Sequence, residues 1–192
     1  MKNWVLVTFL FFSANIYAGE LVLTENSLGP LKLSEQSTIS AKSLKELFPK
    51  YDIEYFIGQG DSPDFHYFQV QEKSGETLFS ITTYIKNESQ RTNADVKIEL
   101  LVIHSSSIKD QYGIRIGMTY SEVSKLRGKG LKFGANHMDN YIGSGKIWYA
   151  FASSKKNKQY GFHLNPEEIT INDIKNENSK VKAISWPKPR WE

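Results

Sequence analysis

The chain has 192 residues, a formal net charge of +3, 40% apolar and 13% aromatic residues, which suits one domain with its own core and is too apolar for a disordered chain. It has no cysteine, which excludes disulfides, Cys-ligated zinc, iron–sulfur clusters and thiol catalysis.

Residues 1–18 read MKNWVLVTFLFFSANIYA. Lys2 is a positive start, Trp4 to Phe12 an apolar run with only Thr8 polar, and Ala18 closes a small and polar stretch. That is the order of a secretory signal peptide cleaved before Gly19. A bilayer-spanning helix needs about 20 apolar residues, so a stable membrane anchor is the poorer reading. The expected product is one β-rich domain over residues 19–192, periplasmic or secreted.

Residues 20–24 and 29–33 are short strand candidates. Ser40 can cap a helix running to Leu47, with Leu44, Leu47 and Phe48 on one face and Pro49 as its stop. Strand patterns follow at 53–57, 65–72 and 77–84, the last two joined by the hairpin signal Lys73-Ser74-Gly75-Glu76. Residues 86–95 read as a surface loop and 96–103 as the strongest strand. Thr119-Tyr120-Ser121-Glu122 is a capping box, with Met118 and Val123 as its hydrophobic staple, and it predicts a helix to Arg127 ended by Gly128. Residues 172–175 suggest a weak helical turn. Further strands are expected at 145–151, 159–164 and 181–186. These elements predict an α+β domain, mainly antiparallel β, with about nine strands and two short helices.

The stretch GIRIGMTYSEVSKLRG, residues 113–128, is a strand–Gly–capped-helix pattern. Together with LGPLKLSEQSTISAKSLKELFPKYDIEYFIGQG, FHYFQVQEKSGETLFSITTY, VKIELLVIHSSSIKDQYGIRIGMTYSEV and the closing KVKAISWPKPRWE, it resembles the envelope-stress-regulated bacterial lipoproteins of unknown function. The resemblance spans residues 28–186, with a longer insertion at 87–95. It implies a fold and an envelope location, and no catalytic residues. Those relatives carry a lipidated Cys after the signal, which this chain lacks, so lipid attachment does not carry over.

Chemistry-bearing motifs are sparse. The four histidines, His66, His104, His137 and His163, lack zinc-pair spacing. Asp61, Asp64 and His66 lie close enough for a divalent ion, but Gly-Asp-Ser-Pro-Asp is also an ordinary turn, the favoured reading. His104 reads as a hydrogen-bonded strand residue. No Gly-x-Ser-x-Gly elbow or P-loop occurs, and Gly143-Ser144-Gly145-Lys146 reads as a hairpin turn. Glu54, Asp61, Asp64 and Glu99 are carboxylates, but spacing singles out no pair for glycoside hydrolysis. No cofactor or metal is expected.

Charge divides unevenly. Residues 19–110 carry nine Lys/Arg against fourteen Asp/Glu, and residues 111–192 carry fourteen against seven. Lys125, Arg127, Lys129 and Lys132 crowd one stretch, and Lys155, Lys156 and Lys158 another. Trp186-Pro187-Lys188-Pro189-Arg190-Trp191 is a proline-stiffened tail. The plain reading is solvated lysines and a core Trp186. The functional reading is a binding surface of Lys125, Arg127, Lys129, Lys132, Trp186, Arg190 and Trp191 for an acidic partner. Nucleic acid is a poor partner for an exported and mildly basic chain. The leading expectation is an exported, non-enzymatic binding protein, such as an inhibitor or immunity protein against a periplasmic hydrolase or toxin. The alternatives are an envelope structural or stress protein binding peptidoglycan or lipid, and a hydrolase with an unrecognised site.

Overall fold

The computed structural model describes residues 20–59, 63–92, 95–152, 165–176 and 178–189. The chain runs β1 (Val22–Leu23), β2 (Ser27–Leu28), β3 (Leu31–Lys32), β4 (Thr38–Ile39), α1 (Ala41–Leu47), β5 (Asp52–Gly58), β6 (Phe65–Gln71), β7 (Thr77–Tyr84) and α2 (Glu88–Arg91). It continues with β8 (Val96–Lys97), β9 (Leu100–Ile103), β10 (Lys109–Asp110), α3 (Tyr120–Arg127), β11 (Lys132–Ala135), β12 (Asn140–Ser144) and β13 (Ile147–Phe151). A 3-10 turn (Pro166–Glu168), α4 (Ile171–Asn176) and β14 (Val181–Trp186) close it. The architecture is α+β and mainly antiparallel. Its dominant element is an eight-stranded sheet in the order β11-β12-β13-β14-β9-β7-β6-β5.

Side-chain alternation explains this sheet. The strand register aligns Ile53, Val70, Phe79, Ile103, Ile184, Tyr149, Ile142 and Phe133 in one row across all eight strands. The six inner members of that row are 0% exposed. The adjacent row, one residue along each strand, is Glu54, Gln69, Ser80, Val102, Ser185, Trp148, Gly143 and Lys132. A one-residue slip of β6, β7 or β14 would turn Gln69, Ser80 or Ser185 into the core row, so the alternation of these strands fixes the register. Gly143 sits opposite Trp148, where a Cβ would lie 2.7 Å from the indole and 2.6 Å from the Ile147 carbonyl oxygen.

The apolar face is covered by the helices and the short strands. Leu44 of α1, Val123 of α3, Ile174 of α4 and Leu23, Leu28 and Leu31 join its cluster. Phe48 meets Phe79 edge-on at 5.2 Å, and Tyr120 lies 6.3 Å from Phe151. Both expected helices form with their expected caps, Ser40 and Thr119, and Gly128 follows α3 at φ 70°.

Three expectations are corrected by pairing. The strand expected at 96–103 divides, because β8 pairs with β4 while β9 pairs with β7 and β14. The Ile98 amide turns to the Ser37 carbonyl at the break. The loop expected at 86–95 contains α2, capped by the Asn87 side chain. The stretch around Lys132 is an edge strand, and β12 before the Ser144–Lys146 turn was not expected. The described elements therefore number fourteen strands and four helices. The strand expected at 159–164, the Lys155–Lys156–Lys158 turn and the signal segment lie outside the described residues. Among the described residues no helix is long and apolar enough to cross a membrane.

Candidate binding cleft

The second face of the sheet carries a cleft of about 560 Å³ lined by residues of β7, β9, the β11–β12 turn, β12 and the chain after β14. Tyr84 of β7 and Tyr141 of β12 both line it. Three strands stand between theirs in the sheet. In a flat sheet four strand spacings alone would hold them about 19 Å apart, and their offset along the strands would add to that. Their sharing one cleft means that the sheet curls about this face, as the twist of strands favours.

Each wall is anchored. The Tyr84 amide donates to Glu99 Oε2 at 3.0 Å, and Lys86 Nζ donates to Glu99 Oε1 at 2.9 Å. Asn136 closes the β11–β12 turn as an Asx cap. Its Oδ1 accepts from the amides of Met138 at 2.9 Å and Asp139 at 2.7 Å. This leaves Met138, 59% exposed, at the rim. Tyr141 Oη donates to Asp139 Oδ2 at 3.3 Å, and Asp139 is also paired with Lys182. Burial, then the Asp139 charge, pushes the Tyr141 phenol far above its ordinary range, so it stays a neutral donor. Pro187, Lys188 and Pro189 complete the lining, Pro189 buried and the Lys188 ammonium 5.2 Å from the centre of the Trp148 ring. The lining is therefore aromatic, proline and aliphatic, with Lys86, Lys97, Lys188, Glu35 and Glu99 supplying charge of both signs.

The residues singled out in the sequence divide into three groups. Lys125, Lys129 and Lys132 are exposed around the α3–β11 connection, and none of them lines the cleft. Arg127 and Trp186 are committed internally. Arg127 Nη1 donates to Tyr149 Oη at 3.0 Å, Nη2 donates to the Ser144 carbonyl at 3.0 Å and to its hydroxyl, and the guanidinium stacks 4.0 Å over Tyr112. Trp186 is 1% exposed, and its indole N–H donates to the Glu25 carbonyl at 2.8 Å. A buried indole cannot present its ring to a partner, so its place in an exposed binding surface is withdrawn. Arg190 and Trp191 lie outside the described residues. Tyr84, Leu100, Met138 and Tyr141 went unnoticed in the sequence, because only the curl of the sheet brings them together.

The possible ligands of a divalent ion that are described are engaged by other groups. Asp64 is paired with Arg91. His66 is buried, with Tyr55 Oη 2.9 Å from Nδ1 and the Gln90 carbonyl 2.8 Å from Nε2. A carbonyl can only accept, so Nε2 donates to Gln90. Asp61 lies outside the described residues. Among the described residues no three His, Asp or Glu side chains gather as a metal site. His104 Nε2 lies 2.8 Å from Ser80 Oγ, the bonded strand-end histidine expected.

No protein-family model matches the chain. No curated protein matches it. The fold is similar to that of the uncharacterized protein yfeY from Escherichia coli, known from a crystal structure, with a TM-score of 0.57 at 16% identity over 87% of this chain and 99% of that one. At this identity the likeness concerns the fold alone.

Proposed function

We propose that the protein is an exported binding protein that takes a segment of a protein partner in the cleft between Tyr84, Tyr141 and Pro187–Pro189. The observation that carries this reading is the lining itself: two tyrosines, Leu100, Met138 and two prolines on a braced sheet face. Such a groove loses little side-chain entropy on binding, since its walls are already held by hydrogen bonds. Tyrosine is a frequent binding hot spot, and methionine adapts to irregular apolar shapes. Glu35 and Glu99 beside Lys86, Lys97 and Lys188 give the lining charge of both signs, which suits a polypeptide carrying both charges. A periplasmic hydrolase or toxin is the partner class that the sequence reading favours. Lys125, Lys129 and Lys132 are free of the cleft and would act on encounter, steering an acidic partner.

Binding kinetics test this against a partner captured from an envelope extract. Tyr84→Ala combined with Tyr141→Ala should weaken binding about 100-fold, mainly through faster dissociation, as loss of two hot-spot side chains predicts. Met138→Glu, at an exposed rim position, should weaken it without disturbing the fold. Lys125→Glu with Lys129→Glu should lower the association rate and flatten its salt dependence. Wild-type kinetics in both cleft variants would place the interface elsewhere.

A further inference from the structure

The two edges of the eight-stranded sheet are built differently. At one, β11 has four residues, includes Gly134 and carries exposed Lys132, features that blunt an edge against pairing. At the other, β5 has seven residues, Asp-Ile-Glu-Tyr-Phe-Ile-Gly, with neither lysine nor proline. Among the described residues its backbone pairs with β6 alone, which leaves a row of amides and carbonyls facing outward. Tyr55 is 44% and Phe56 47% exposed, two of the few large exposed apolar side chains. A long edge without lysine or proline, charged only at Asp52 and Glu54, is a template for another strand.

We propose that β5 pairs with the β5 of a second copy of this chain, joining two eight-stranded sheets into one. The strand's own sequence is compatible with itself over its whole length, which argues for that occupant. A two-fold axis normal to the sheet keeps each side chain on its face, so residues can pair only in registers centred on a residue. Centred on Tyr55, all seven residues pair: Asp52 opposite Gly58, Ile53 opposite Ile57, Glu54 opposite Phe56, and Tyr55 opposite itself. No two acids then stand directly opposite. Centred on Glu54, the two glutamates oppose each other, and centred on Phe56, only Glu54 to Gly58 pair. The acids are already partly satisfied within their own subunit, Asp52 by Lys45 at 3.8 Å and Glu54 by the Gln71 amide at 3.3 Å. This contact is independent of the cleft. The contact joins two seven-residue strands, so association is expected to depend on concentration.

Sedimentation equilibrium of the purified chain tests the proposal, with two variants that put like charges at the axis. The wild type should reach twice the chain mass as concentration rises. Tyr55→Lys and Tyr55→Glu should each dissociate about 100-fold more readily, because like charges opposed in an interface cost several kcal/mol. Mixed in equal amounts, the two variants should dimerise again, since position 55 then meets the opposite charge. Both also lose the hydrogen bond to His66 Nδ1, so circular dichroism accompanies them. If they misfold, the absence of native cysteine provides the second measurement. Glu54→Cys mixed with Phe56→Cys should give a disulfide-linked heterodimer in excess of either homodimer. A wild type that stays monomeric at about 100 µM, dimers indifferent to both charges, or absence of the mixed species in each format would overturn the proposal.

Discussion

Asp110 is 1% exposed, and its carboxylate accepts from Tyr149 Oη at 2.5 Å and from the amides of Tyr112 and Ile114, each at 2.9 Å. Burial pushes its pKa above the ordinary range, more than the three hydrogen bonds and the Arg127 charge pull it down. The Tyr149 phenol is pushed far up by burial and by that carboxylate, and it joins Asp110 to Arg127. Tyr149→Phe leaves both partners short of a bond and should destabilise the fold by about 1–3 kcal/mol, measured by denaturant unfolding. The pH dependence follows from the raised value. A carboxyl easier to protonate when folded contributes stability below its unfolded pKa and loses it as pH rises through the folded one. The stability of the wild type relative to Asp110→Asn should therefore fall as pH is raised from the acid side through that window. A constant difference would mean that Asp110 titrates as it does in the unfolded chain. This network was invisible in the sequence, where Arg127 read as one of four exposed cations. Its partners Tyr149 and Ser144 are 22 and 17 residues away, and no local pattern links them.

Elements that depend on neighbouring residues were legible. In α3 the Glu122 amide donates to Thr119 Oγ1 at 3.4 Å, and the Thr119 amide donates to Glu122 Oε2 at 2.7 Å, the reciprocal pair that Thr-x-x-Glu predicts. Thr119→Ala should cost about 1 kcal/mol in unfolding free energy, as lost caps do. The bonds from Thr119 hold the exposed Glu122 carboxyl below its ordinary pKa. Its contribution is thus present above the ordinary carboxylate pKa and lost as pH falls through the lowered folded value, so the gap between wild type and variant should narrow in acid. A melting midpoint unchanged at neutral pH would show that another group satisfies the first turn. The strands show the reverse case. β7 and β14 were read with their observed bounds because their apolar runs lie between clear stops. Residues 96–103 read as one strand because alternation does not reveal that Val96 pairs with Ile39 while Leu101 pairs with Ile81 and Trp186. β11 and β12 were missed for a similar reason. Lys132, Gly134, Asn140 and Gly143 are poor strand formers, held in the sheet by the strands beside them rather than by propensity.

At the scale of the molecule, one apolar row spanning eight strands sets the register, and the helices cover that face, while the second face buries Ser80, Trp148 and Ser185 at its centre. The curl of that face makes the cleft, and the β5 edge, paired among the described residues with β6 alone, offers a second surface. The chain after Trp186 was legible as a stiff tail, but its role as a wall of the cleft depends on the sheet curling towards it. A photo-reactive benzoylphenylalanine in place of Met138, 59% exposed at the cleft rim, tests the binding account most directly. The matching control replaces Leu126, which is 45% exposed on α3 and outside the cleft lining. Irradiation of cells expressing each variant, followed by mass spectrometry of the adducts, should yield one defined protein adduct from position 138 and none from position 126. A defined adduct from position 126, with none from position 138, would contradict the cleft as the binding site.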